Sequence, residues 1–256
     1  MTLDLWHTLV YVTPEDEERY MANQVRIAAG SLARGTLRAG ARALEPDALA
    51  RIFEQEYADA VEAAADGRTV TPAAQIERAA HAAGRSIDEA RYFQELRAEV
   101  ERLDFRRAPG ALELLRGLRE DGYRIAVISN TIGEPGAFLR PALRSMGFDP
   151  YIERYVFSDE QTWSKPDPRI FLLALSAIDA TPDRAVHVGD GWSDIEGALR
   201  AGYRGRILFA GLQEYGERYR SLFASSARKI PPADREVTHL AEIGTIVREL
   251  VPPRPA

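Results

Sequence analysis

Hydrophobic and polar residues follow two different patterns along this chain. It opens on a short apolar strand and turn, Thr2 to Val12, and the pattern changes at Thr13. Thr13-Pro14-Glu15-Asp16 supplies an N-cap, a proline at the first helical position and acids in the first turn. Thr71-Pro72 repeats that start, and Ser86-Ile87-Asp88-Glu89 reads as a capping box. The intervening segments are rich in alanine, glutamate and arginine, with Ile52, Tyr57 and Val61 near one helical face. Residues 13 to 104 are therefore predicted to form a helical insert.

After Pro109-Gly110 strand and helix alternate. "ALELLRGLREDG", "EPGAFLRPALRSMG", "DPRIFLLALSAI" and "SDIEGALRAG" read as helices. "YRIAVIS", "YIERYVFS", "RAVHVGD" and "RGRILFA" are apolar runs too short for helices and read as buried strands. This alternation predicts an α/β fold, a Rossmann-like doubly wound parallel sheet with helices on both faces. Residues 1–12 and 105–250 would form that core around the inserted all-α segment 13–104, and residues 251–256, "VPPRPA", a disordered tail.

Composition narrows the partners. A net charge of −6 over 256 residues argues against nucleic acid, whose phosphates reward a basic surface. Cysteine is absent, which excludes disulfides and thiolate metal sites. No apolar run is long enough to span a membrane and no signal-peptide layout opens the chain, so the expectation is a cytoplasmic protein with a small-molecule substrate. Oligomeric state is not legible. Only two lysines occur, Lys165 and Lys229, among 33 basic residues, which draws attention to each.

Ligands of open parallel sheets bind beyond the carboxyl ends of the strands. Asp4, Ser129, Asn130 and Asp190 each end a strand, and Lys165 lies in the loop "TWSKPDP" after another. Each has a plain alternative: a turn residue, a helix cap or a solvated loop lysine. Together they suit phosphoryl transfer. Two carboxylates from different strands make a hard oxygen site for Mg²⁺. Lys165 and the metal would neutralise phosphate charge, Ser129 would bind its oxygens, and Asp4 would attack phosphorus.

These residues resemble the motifs of the haloacid dehalogenase superfamily of hydrolases, in order and over essentially the whole chain. "LDLWHTLV" is similar to the first motif, which implies Asp4 as nucleophile and Thr8 as its support. "VISN" is similar to the second, with Ser129, followed by Asn130, at the phosphoryl group. "SDEQTWSKPDPRIF" resembles the third, giving Lys165, and "VGDGWSDIEGALRAGY" the fourth, giving Asp190 and Asp194. The resemblance further implies a metal site of Asp4, Asp190 and the backbone carbonyl of Trp6, with Asp194 behind them. The helical insert matches the family's cap, which closes over the site and selects substrates.

Two adjacent positions depart from the family. Its phosphatases carry a second aspartate, the general acid, where Trp6 stands, and His7 occupies a usual glycine position. His7 is the nearest titratable substitute. Three readings follow. The first is a Mg²⁺-dependent phosphatase of a small phosphorylated metabolite working through an aspartyl-phosphate. The second is a 2-haloacid dehalogenase, in which an aromatic residue replaces the second aspartate and Arg34 or Arg38 would hold halide. The third is a non-catalytic binding protein of the same fold. Asp190 favours the first, because Asp4, Asp190 and Asp194 without a cation would repel a haloacid. Arg19, Arg26 and Arg34 are the insert's candidates for substrate contacts.

Overall fold

The computed structural model describes residues 1–212, 215 and 228–253. Six strands form one parallel sheet: β1 (Thr2–Leu3), β4 (Ala126–Ser129), β5 (Arg154–Phe157), β6 (Val186–Gly189), β7 (Gly205–Phe209) and β8 (Arg235–Val237). Their spatial order is β5-β4-β1-β6-β7-β8. The order reverses at β1, which lies between β4 and β6 in register Thr2↔Ala126 and Thr2↔His187. That is the switch point at which open α/β sheets leave a crevice.

Period-2 alternation explains the layering. Val127 and Val188 face one apolar cluster, shared with helices α5 (Ala111–Glu120), α6 (Gly136–Ser145) and α9 (Leu240–Leu250). Ala126 and Ile128 face a second cluster, built on α7 (Pro168–Ser176) and α8 (Trp192–Arg200). Both faces of the sheet are thus covered by helices, as buried parallel strands require.

Four helices occupy the insert: α1 (Pro14–Arg34), α2 (Pro46–Ala65), α3 (Pro72–Ala82) and α4 (Glu89–Val100). Thr13 and Thr71 cap α1 and α3, accepting from the Asp16 and Ala74 backbone N–H groups at 3.2 Å. The start of α4 differs from the expected capping box. Asp88 is its cap, accepting from Arg91 N at 3.0 Å, while Ser86 Oγ accepts from Thr36 N at 3.0 Å and ties two loops together. Phe53, Ile76, Tyr92 and Leu96 fill the interior of the insert. Where the chain enters and leaves it, β2 (Val10–Tyr11) pairs antiparallel with β3 (Arg106–Arg107), and Trp6 packs on Phe105 with ring centroids 5.7 Å apart.

The carboxyl-terminal part corrects one expectation. Val251, placed in a disordered tail by its proline-rich neighbours, is buried in the core, and its carbonyl accepts from Tyr123 Oη at 2.7 Å. Residues 254–256 of that segment lie outside the described residues. Among the described residues no helix is long and apolar enough to cross a membrane.

Gly197 shows packing overriding propensity. A Cβ there would stand 2.1 Å from Phe171 Cε2 and 3.1 Å from the Pro166 backbone. Phe171 cannot swing aside, because His187 and Tyr203 hold its ring edge-on. Helix propensity alone would make Gly197→Ala stabilising by about 1 kcal/mol. Overpacking is expected to win, with a net loss of about 1–3 kcal/mol in urea denaturation; a stabilised variant would show that α8 can shift.

Candidate active site

β4, β1 and β6 are neighbours, so residues at their carboxyl ends meet although far apart in sequence. Asp4 leaves β1 with its N–H donating to the Val188 carbonyl at 2.8 Å, which anchors it against β6. Thr8 is buried one turn later, with Oγ1 3.5 Å from Asp4 Oδ2. Between them His7 adopts φ 56°, a left-handed conformation that a β-carbon disfavours and glycine accepts readily. Its Nδ1 lies 3.8 Å from Asp190 Oδ2.

Lys165 closes the centre. Its ammonium donates to Asp4 Oδ1 and, at 2.7 Å, to Asp194 Oδ1, and all three side chains are buried. Burial pushes the Asp4 carboxyl well above its ordinary range; Lys165 opposes this, while Asp194 and Asp190 reinforce it. Burial would also raise Asp194, but Lys165 and His187 outweigh it and hold that carboxyl at about 2. Lys165 is destabilised as a cation by burial, yet the two carboxylates more than compensate and raise it.

Asp194 is the best-supported acid of the three. Its Oδ2 accepts from Gly191 N at 3.2 Å in the first turn of α8, where the helix dipole favours an anion. Its Oδ1 also meets His187 Nε2 at 3.1 Å. Burial lowers His187, so it is neutral; an ionised Asp194 only accepts, so Nε2–H donates to it and Nδ1 accepts from Thr2 Oγ1 at 2.8 Å. Gly189 makes the room: a Cβ there would stand 2.2 Å from Asp194 Cγ. His187 is a positioning residue that the sequence reading leaves unmarked, since a histidine within a buried strand has the same spacing as a core residue.

Asp4, Asp190 and Asp194 each bring one ligand atom within 4.8 Å of the others. Asp194 is committed to Lys165, His187 and Gly191, so the carboxylates placed to hold a cation are Asp4 and the half-buried Asp190. Three carboxylates face one ammonium in a buried setting, an imbalance that a divalent ion with hard-oxygen preference fits.

The second-motif residues divide. Ser129 Oγ is buried at the end of β4, lines the cavity above Asp4, and has no hydrogen-bond partner. Asn130, expected beside it as a substrate contact, instead gives its amide to the Lys165 backbone: Oδ1 accepts from Lys165 N at 2.8 Å and Nδ2 donates to Lys165 O at 3.0 Å. Its side chain therefore positions the lysine loop.

A cavity of about 710 Å³ extends from Asp4 to the insert. Trp6, His7, Ser129, Lys165, Asp190 and Asp194 line its floor, and Tyr20, Met21, Tyr57, Val61, Val100 and Leu103 its roof. The expected arginines do not reach it. Arg19 pairs with Asp16, Arg26 with Asn23, and Arg34 with Glu95, all on exposed faces, and Arg38 is exposed as well. Solvated arginines and site arginines have the same helical spacing in a chain so rich in them, so sequence could not separate the two. Glu134, on the loop after β4, was not anticipated. It lines the cavity and accepts from Tyr20 Oη at 3.0 Å. Burial first, then Asp159, raise its carboxyl to about 7 against the pull of the Tyr20 bond.

Comparison with known proteins bears on the family and the fold. The chain is 38% identical to glyceraldehyde 3-phosphate phosphatase from Pyrococcus abyssi over 100 residues, 39% of this chain and 41% of that protein. It is 33% identical to phosphoglycolate phosphatase from Pseudomonas putida over 94 residues, 37% of this chain and 34% of that one. The chain thus spans well under half the length of these curated relatives. Two solved structures match nearly end to end. A phosphatase of the haloacid dehalogenase type from Thermococcus onnurineus superposes with TM-score 0.61 at 19% identity, covering 96% of each chain. A 2-haloacid dehalogenase from Pseudomonas syringae superposes with TM-score 0.63 at 21% identity, covering 97% of each. At such identities the likeness is one of fold, shared by a phosphatase and a dehalogenase alike. The family's sequence pattern extends from residue 2 to residue 202, through β1, the insert and α8, and the chain belongs to the haloacid dehalogenase-like hydrolases.

Proposed function

We propose that the protein is a Mg²⁺-dependent phosphatase of a small phosphorylated metabolite, working through an aspartyl-phosphate on Asp4. Residues 1–12 and 105–250, as far as they are described, would form its catalytic core and residues 13–104 its lid, with the paired crossings at β2 and β3 as the hinge. Asp4 Oδ attacks phosphorus, the bond to the leaving oxygen breaks, and water then attacks the phosphorus of the acyl phosphate and frees Asp4. Lys165, with Thr8 beside Asp4, orients the nucleophile; Ser129 donates to a phosphoryl oxygen; Asp194 holds Lys165. Asp4, Asp190 and the Trp6 carbonyl would hold Mg²⁺, which when bound offsets phosphate charge. Family relatives named for glyceraldehyde 3-phosphate and phosphoglycolate support a phosphomonoester as substrate.

One observation carries this reading: the unpartnered, buried Ser129 Oγ shares its cavity with an Asp4 already gripped by Lys165. A buried hydroxyl without a partner costs about 1–3 kcal/mol, which an anionic oxygen in the cavity would recover. The dehalogenase reading loses its halide cation, since Arg34 and Arg38 lie away from the cavity, and it keeps Asp190, whose charge would repel a haloacid. A binding protein would have no use for so costly a buried charge cluster.

Asp4→Asn is expected to lower phosphomonoester turnover more than about 10³-fold while leaving the fold intact. Rapid-quench mass spectrometry of the parent should find phosphate on Asp4; hydrolysis without a phosphorylated enzyme would refute the covalent route. Asp190→Asn is expected to weaken Mg²⁺ binding by at least about 10-fold in calorimetric titration. Unchanged affinity would remove Asp190 from the metal site.

Trp6 yields a third expectation. Without a carboxylic acid at this position the leaving group departs unprotonated, so esters of poorly acidic alcohols are slow. A general acid is worth about 10²–10⁴ in rate. Trp6→Asp should raise kcat on alkyl phosphates by at least about 10-fold over Trp6→Asn, which matches it in volume. Equal rates for the two folded variants would show that another group supplies the proton.

A further inference from the structure

We infer, resting on the phosphatase reading above, that the cavity selects phosphomonoesters whose leaving group is aromatic or otherwise apolar and carries no second anionic group. The roof supplies the apolar half of this preference. Tyr20, Met21, Tyr57, Val61, Val100 and Leu103 come from α1, α2, α4 and the turn after α4, and from below the floor adds the Trp6 indole. Pockets of roughly 300–1,000 Å³ enclose small ligands, so a cavity of about 710 Å³ takes a phosphate and a ring together. Aromatic walls reward a flat apolar group beyond the area it buries.

Charge supplies the other half. Among the described residues, Glu17 is the only charged side chain that the insert gives to the cavity, and Glu134 adds a carboxyl from the core side, bonded to a neutral phenol. Among the described residues, the cations that line the cavity are already engaged. Lys165 grips Asp4 and Asp194 on the floor. Arg228, at the edge, donates to the Ala65 carbonyl at 2.6 Å and to Asp66 Oδ1 at 2.8 Å, with its guanidinium 4.6 Å over the Trp192 ring. A second phosphate or a carboxylate on the leaving group would thus enter a partly enclosed, acid-bearing space with no cation among the described residues turned toward it. Like charges in that setting repel, and the cost is felt in specificity.

Phosphonates, which bind as esters do but are not hydrolysed, test the cavity separately from the chemistry. The Mg²⁺-loaded protein would be titrated by calorimetry with methylphosphonate, 4-methylbenzylphosphonate and 4-carboxybenzylphosphonate. The 4-methylbenzyl compound is expected to bind at least about 10-fold more tightly than either of the others. In Glu17→Gln, checked for folding by circular dichroism, the gap between the two benzyl compounds should narrow. A carboxylate binding as tightly as the methyl compound, a ring that adds nothing over methylphosphonate, or no binding by any of the three would overturn the inference. Turnover of the matching esters is scored in parallel. Binding in the expected order with no ester hydrolysed would sink the phosphatase reading and leave the preference standing. Hydrolysis that favours the carboxylate would do the reverse.

Discussion

The buried ammonium of Lys165 holds this site together. It reaches Asp4 from β1 and Asp194 from the first turn of α8, and so fastens the loop after β5 to two other parts of the sheet edge. Removing the ammonium itself would leave Asp4 and Asp194 as uncompensated buried carboxylates, which is among the more destabilising changes a protein can suffer. The surroundings follow from that constraint. Asn130 fixes the lysine's backbone from both sides, His187 and Gly191 fill the remaining valences of Asp194, and Gly189 has no β-carbon because Asp194 lies against it. His187 and Gly189 do not line the cavity. They exist to place one cation.

Much of this was legible from sequence because the signals were local or periodic. Short apolar runs bounded by turn residues become parallel strands, and Thr-Pro starts become capped helices, since the physics lies within a few residues of the chain. Asp4, Ser129 and Asp190 could be assigned to one edge by topology alone, because parallel strands put all their carboxyl ends on one side. Elements decided by distant partners were harder. β8 is Arg-Glu-Val, charged at two of its three positions, and is a strand because β7 pairs with it. α9 has a plain helical stripe in Leu240, Ile243 and Val247, and with it Val251 enters the core rather than a tail.

Within the site the same division holds. A residue type at a strand end predicts placement; it does not predict what the side chain binds. Asn130 looks like a phosphate ligand and is a brace for Lys165, while Glu134 looks like a loop glutamate and lies half-buried against Tyr20. The insert's arginines mislead for a compositional reason. With 33 basic residues, nearly all arginine, on a chain of net charge −6, most arginines are answered by nearby acids on the surface, as Arg19, Arg34 and Arg91 are.

Trp6 links the two halves of the site. On the phosphatase reading proposed above, an indole where the family's usual residue is a proton donor would remove acid catalysis and add an apolar wall beside the leaving group. The change is coherent only if the leaving group suits both consequences. A group that is aromatic stabilises its own negative charge better than an alkoxide when attached through a phenolic oxygen, and it would also pack on Trp6, Tyr20 and Tyr57. An anionic sugar-like group would meet neither condition. Trp6 is moreover not a free choice of the floor alone, since its ring packs on Phe105 at the crossing where the insert rejoins the core. On that reading, the residue that would set the proton demand of the reaction is therefore in contact with the crossing over which the insert would close.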